Sequence, residues 1–386
     1  MYKNSLIYFD NAATTPLSPT AFSAMKPWLT SEYGNPSSLY SAGRKAKEAL
    51  ECARAMIACT INAEPDEIFF TSGGTEANNW AIDMIGTHGD IITSNIEHHA
   101  ILNAAHNRFE RDVKAIKLMT DRHGHIVPPN ESATRSLVLQ NKPVMCSFMF
   151  VNNEIGTVQD LRKLFKAFNG YGLIYHTDAV QAVGHIPVDV KKLGVDMLSM
   201  SAHKFNGPRG IGALYVRNGV PMYPMICGGG QERKMRAGTE NVAGAVGMAV
   251  ALDEAARFMD ERMAHIDSLK HRFVDACTKN NIRFVTTLDD PFSNNTGILS
   301  VRFPEVEAES LLLLLDSFGI CVSTGSACDS KSVNISHVLS AIGLSDTDAR
   351  STVRFSFGHQ NTFEEVDYAV DALAKCIDMM RSVNTV

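Results

Sequence analysis

Through the first two thirds of the chain, short apolar runs alternate with stretches of helical periodicity. Ile68 to Thr71, Asp90 to Thr93, Val144 to Val151, Ile174 to Thr177, Met197 to Ser201 and Gly212 to Val216 read as strands. Their apolar residues fall on both alternations, the pattern of strands covered on both faces. Between them the chain predicts helices. One opens near Gly74, one runs from about Ala100 to Arg111, and one runs to Phe168 from Asp160, a good cap residue. Alternation of this kind predicts a mostly parallel sheet in an α/β layer fold. Ligands of such folds gather at the carboxyl ends of the strands.

From about Asn241 to Lys279 the pattern is helical without an internal proline, which predicts one long helix able to bridge two domains. Beyond it the order is strand Ile298 to Phe303, helix Val306 to Phe318, strand Thr352 to Phe357 and helix Phe363 to Met380. That is α+β in style and predicts a second, smaller domain.

Composition narrows the picture. With 386 residues, 45% hydrophobic and 20% charged, the chain suits a globular protein with a large core. A net charge of −6 and no long basic run argue against direct binding to nucleic acid. The start has no apolar segment of a secretory signal, and the purely apolar runs, such as Leu311 to Leu315, are too short to span a membrane. Eight cysteines form no CxxC pair, so neither a zinc site nor a disulfide framework is expected. Reduced thiols in a cytoplasm are the simplest reading.

The candidate chemistry lies at strand ends. Lys204 sits in Ser201-Ala202-His203-Lys204-Phe205-Asn206-Gly207-Pro208, and Asp178 ends the neighbouring run. A crowded amine loses its proton readily and can form a Schiff base with a carbonyl cofactor, while a carboxylate can keep a pyridine nitrogen protonated. Those are the two anchors of a pyridoxal phosphate site; a solvated surface lysine is the bland alternative. Thr71 to Glu76, Thr-Ser-Gly-Gly-Thr-Glu, joins a strand to a helix and suits a phosphate at the helix N-terminus, although a plain glycine turn reads as well. It is neither a Walker loop nor a GxGxxG motif. In Ile96-Glu97-His98-His99 an imidazole can stack on a flat ring; adjacent histidines face different ways, so joint metal chelation is not expected. Cys328 lies among small polar residues, Ser323 to Ser330, where a thiol is more plausibly exposed and reactive. Cys52, Cys146 and Cys376 are expected to be buried hydrophobes. Arg354 lies inside an apolar strand, where an unpaired charge is costly.

With these pieces in place the chain resembles the cysteine desulfurases, fold-type I pyridoxal phosphate enzymes of the class V aminotransferase group. The resemblance rests on Tyr8 to Pro16, Gly34 to Ser38, Thr71 to Asn78, Val151 to Gly156, His176 to Gln181, Ser201 to Pro208, Gly228 to Glu232, Arg236 to Thr239, Ser323 to Cys328 and Val353 to Ser356, in the family's order. It implies a large cofactor-binding domain, 16–255, and a small domain, 1–15 with 256–386, carrying the cysteine loop. Lys204 would carry the cofactor, Asp178 would pair with its ring nitrogen, Gln181 would contact its ring hydroxyl, and His98 would stack on the ring and assist proton transfer. Gly74, Thr75, Ser201 and His203 would hold the phosphate, with Thr239 reaching it across a dimer interface. Arg354, helped by Asn153, would grip the substrate carboxylate in a two-pronged bond. Cys328 would accept the sulfur. No role is implied for His99, and no metal.

The expected reaction converts L-cysteine to L-alanine, leaving a persulfide on Cys328 for acceptor proteins in iron–sulfur cluster assembly, tRNA thiolation or DNA phosphorothioation. Asp329 departs from the neutral residue commoner after the cysteine, and a carboxylate there should disfavour the thiolate. The cysteine loop is closer to the housekeeping and nitrogen-fixation type than to the group with a shortened, rigid loop. Val386 follows soon after the last predicted helix, so the longer tail that some close relatives use to dock an iron–sulfur scaffold is not expected, nor that partnership. Two alternatives stay open: a selenocysteine lyase or another class V enzyme, and a non-catalytic protein that keeps the fold. Cys328 argues against an aminotransferase, and Lys204 with Cys328 against the second.

Overall fold

A computed structural model describes residues 6–84, 89–106, 114–292, 296–325 and 335–383. Seven strands form the main sheet in the order Ile68–Thr71, Gly212–Val216, Met197–Ser201, Ile174–Asp178, Pro143–Met149, Asp90–Ser94 and Ala115–Leu118. Only Gly212–Val216 runs against the rest. The expected α/β sheet, mostly parallel and flanked by helices, is therefore present, and the reason for the unbroken apolar runs is visible. Phe70, Ile92, Cys146, Phe148, Leu198 and Met200 enter a core on one face. Phe69, Ile91, Met145, Met197 and Leu214 enter a core on the other.

A second sheet is antiparallel, in the order Ser323–Thr324, Thr352–Ser356, Ile298–Arg302 and Val285–Thr286. It has its own core, which includes Phe9, Ile266, Phe273, Leu311, Val353 and Phe355. The N-terminal strand Ile7–Tyr8 pairs in parallel with Ile320–Cys321, so the chain begins beside its last third.

The single helix expected over 241–279 is two helices, Val242–Arg257 and Met259–Lys279. Phe258 leaves helical geometry between them, with φ −107° and ψ 16°. The cause lies in packing: Ala245, Met248, Leu252 and Ala255 belong to the main core, whereas Ile266, Leu269 and Phe273 belong to the second. Each helix follows its own core, and Arg262 pairs with Glu254 across the bend.

Cys146 and Cys376 are buried as expected, and burial pushes both thiols up. Cys52 is not: it is exposed, because the helix Ser41–Thr60 turns Leu50, Ala53, Arg54 and Ile57 inward and Cys52 away. The predicted helix from Ala100 is His99–His106; 107–113 lies outside the described residues. Among the described residues no helix is long and apolar enough to cross a membrane.

Candidate active site

The carboxyl ends of the main sheet's strands open into a cavity of about 380 Å³. It brings together Gly74, Thr75, His98, Asp178, Gln181, Ser201, His203 and Lys204 with Asn153, Arg354 and Gly325. Of the expected site residues, Thr239 and Cys328 are not among these. Thr239 is exposed in a separate shallow cleft with Thr71, Ser72 and Arg236. Cys328 and its neighbour Asp329 lie outside the described residues.

Lys204 ends a 3₁₀ turn, Ala202–Lys204, that follows the strand directly. Its Nζ donates to the carbonyls of Ala12 and Ala13 at 2.5 and 2.8 Å. Gln181 Nε2 donates to the same Ala12 carbonyl at 2.8 Å. The N-terminal segment thus crosses the lysine and is fixed beside it by Thr15 Oγ1, which donates to the His203 carbonyl at 2.9 Å. His203 Nδ1 lies 3.1 Å from Thr14 Oγ1, and its pKa falls to about 4 through burial, then Lys204 and Arg209.

Asp178 is the last residue of its strand and is buried. Its Oδ2 accepts from Asn78 Nδ2 at 2.7 Å, and its Oδ1 from the Val180 N–H at 3.0 Å. Both bonds fix the position of the side chain. His98 Nδ1 accepts from the Ala100 N–H at 3.0 Å, which leaves the ring proton to Nε2. Burial lowers its pKa against the pull of Asp178, and Lys204 and His99 lower it further, so the ring is neutral at pH 7. His99 packs on His337 instead, ring centroids 4.8 Å apart.

Arg354 reaches in from the second sheet. Its Nη1 donates to the Asn153 carbonyl and its Nη2 to Asp10 Oδ1, both at 2.8 Å, while the buried Nε has no partner among the described residues. The expected two-pronged grip therefore shares one prong with Asp10.

Sequence reasoning missed Asp10, Asn78, Glu97 and Glu154. Asn78 lies one helical turn beyond Gly74, the only signal that it faces the same cavity. Glu97 is fully buried; its Oε1 accepts from Ser94 Oγ at 2.6 Å and the Met149 N–H at 3.0 Å, and its Oε2 has no partner among the described residues. Burial, with Asp178 adding, pushes it up to about 8 against those two bonds. Glu154 is pushed up to about 7 by burial, against its bond from Ser336 and the charge of Arg354.

These residues fit pyridoxal phosphate. An amine and a held carboxylate stand on neighbouring strand ends. The helix Gly74–Asp83 starts without a side-chain cap, as an anion site requires. A Cβ at Gly74 would come within 2.6 Å of Val180 Cγ2, so the close approach of backbone there depends on glycine.

Such a combination on an α/β sheet is that of the fold-type I pyridoxal phosphate enzymes. The chain belongs to the class-V aminotransferase family, whose family model matches residues 7–369. The cysteine desulfurase IscS of Dictyoglomus turgidum is 44% identical over 384 residues, 98% of this chain and 96% of that protein. Among solved structures, a NifS-like protein superposes with TM-score 0.89 at 34% identity, covering 97% of this chain and 100% of the other. SspA in complex with cysteine superposes with TM-score 0.79 at 33% identity, covering 92% and 100%.

Proposed function

We propose that this protein is a cysteine desulfurase that converts L-cysteine to L-alanine and places the sulfur on Cys328. The observation that carries the reading is the meeting of Lys204, Asp178 and Arg354 in one cavity whose wall runs on to Gly325, just ahead of Cys328. Residues 16–255 would bind the cofactor, and 1–15 with 256–386 would form the small domain; the two separate cores support this division.

Pyridoxal phosphate supplies an electron-withdrawing ring that acidifies the substrate's Cα–H and makes its sulfur open to attack. Lys204 would hold the cofactor's aldehyde carbon, Asp178 its ring nitrogen, Gln181 its hydroxyl, and Gly74, Thr75, Ser201 and His203 its phosphate. Arg354 and Asn153 orient the substrate carboxylate. Lys204 Nζ would take the Cα proton as general base, and His98 would offer a second station for a proton. The Cys328 thiolate bonds to the substrate sulfur; the Cβ–S electron pair stays on carbon, which takes up a proton. The balance is L-cysteine plus thiol giving L-alanine plus persulfide. The persulfide would pass to an acceptor protein in the cytoplasm, with iron–sulfur assembly, tRNA thiolation and DNA phosphorothioation as the candidate destinations.

Cys328→Ser tests this. The holoenzyme should keep its cofactor absorbance and its spectral response to L-cysteine, while alanine release falls on the order of 100-fold or more, because a hydroxyl is too weakly acidic to replace a thiolate. Normal alanine output from the serine variant would end the reading.

A further inference from the structure

We propose that Glu154 is a positioning residue: its carboxyl packs against Gly325 and accepts from Ser336, described residues on either side of the segment that carries Cys328. This rests on the desulfurase reading. Glu154 stands on a fixed turn. Asn152 Oδ1 accepts from the N–H groups of Glu154 and Ile155 at 2.9 and 3.0 Å, and Asn152 Nδ2 donates to the Ile96 carbonyl at 3.1 Å. From there Glu154 Oε2 accepts from Ser336 Oγ at 2.5 Å. Ser336 in turn caps the helix His337–Ala341, accepting from Val338 and Leu339 N–H at 3.2 Å each.

The same oxygen packs on the other flank. A Cβ built on Gly325 would lie 2.3 Å from Glu154 Oε2 and 3.2 Å from Ser336 Cβ, so glycine alone leaves room for the carboxyl. The residue before Glu154 presents the carbonyl that holds Arg354. One turn therefore sets both the arginine of the substrate carboxylate and the flanks of the cysteine segment. Burying a carboxyl is costly, and an apolar side chain would fill the turn more cheaply if packing were its only task.

Holoenzymes carrying Glu154→Ala, Glu154→Gln, Gly325→Ala and the Ala/Ala pair test the assignment. The readouts are cofactor absorbance, kcat and KM for L-cysteine, and the rate of Cys328 alkylation followed by peptide mass spectrometry without substrate. Glu154→Ala should lower kcat about 10- to 100-fold, with KM within about twofold and cofactor absorbance unchanged. Cys328 alkylation should shift several-fold, about 3-fold or more. Glu154→Gln keeps an acceptor for Ser336 and should recover most of the rate. Gly325→Ala should cost rate in the native background and little more beside Glu154→Ala, where the oxygen it meets is gone. If Glu154→Ala does not fold, Ser336→Ala removes the same bond from the other side and should shift kcat and alkylation in the same direction. Native kcat and alkylation in Glu154→Ala, additive costs in the pair, or loss of bound cofactor together with kcat would each overturn the proposal. A native enzyme that makes neither alanine nor a Cys328 persulfide would instead sink the desulfurase reading, and the alkylation rates would still judge the tie.

Discussion

At the scale of single residues, the buried carboxyl of Glu97 makes stability depend on pH in a way one substitution can isolate. An ordinary glutamate titrates near about 4.3, whereas burial holds Glu97 at about 8. Between those values the folded chain keeps a proton that the unfolded chain has lost. The contribution of Glu97 is therefore fully present below the lower value, is lost as pH rises, and levels off above the upper one, with a slope near about 1.4 kcal/mol per pH unit. Glu97→Gln removes the titration and nothing else that titrates. The stability of the variant relative to the native protein should grow from about pH 5 to about pH 8 and then stay level. Urea denaturation of both proteins at matched pH measures the difference, in which the histidines and Glu154 cancel. A difference that does not move with pH would show that Glu97 titrates as an ordinary glutamate.

At the scale of elements, a buried ion pair joins parts that the sequence keeps far apart. Arg54, on the helix Ser41–Thr60, donates Nη2 to Glu232 Oε1 at 2.8 Å and Nη1 to Oε2 at 2.9 Å. Arg54 Nη1 also reaches the Ile68 carbonyl, and the Phe70 N–H donates to Glu232 Oε2, so helix, edge strand and the turn Glu232–Lys234 meet there. That turn places Glu232, Arg233 and Lys234 at φ 43°, 57° and 68°, a left-handed run that side chains disfavour. Glu232→Ala should cost about 1–3 kcal/mol, because it leaves the buried guanidinium only the Ile68 carbonyl and the exposed Glu51 carboxylate, and Arg54→Met with Glu232→Leu together should cost less than Glu232→Ala alone. A loss under about 1 kcal/mol in denaturant would show that the pair anchors nothing. Contacts of this kind explain what the sequence left hidden. Lys204, Asp178 and the Gly74 loop were legible because a polar residue closing an apolar run is a local signal. Arg54–Glu232, Asn78–Asp178 and Asp10–Arg354 join residues 178, 100 and 344 positions apart, and nothing near either partner announces the other. The bend at Phe258 was hidden for a related reason: no glycine or proline marks it, and two separate cores produce it.

At the scale of the whole molecule, the position of Thr239 bears on how many chains make one site. It is exposed in a cleft that shares no lining residue with the cavity of Lys204, although the family resemblance assigns it to the cofactor phosphate. Both hold if Thr239 serves the cavity of a second copy, which predicts a homodimer with two shared sites. Mixing two defective proteins tests this directly. Lys204→Ala lacks its own lysine but carries a native Thr239; Thr239→Ala is the reverse. In a mixed dimer built as expected, the cavity holding native Lys204 also receives native Thr239, and the other cavity is dead. Random re-pairing of equal amounts should therefore restore about a quarter of native activity per chain, on top of the residue left by Thr239→Ala pairs. If each chain completes its own site, every cavity in the mixture lacks one of the two residues and mixing restores nothing. Light scattering on the same samples separates a failure to re-pair from a failure of sharing, and a fully active monomer would refute the dimer outright.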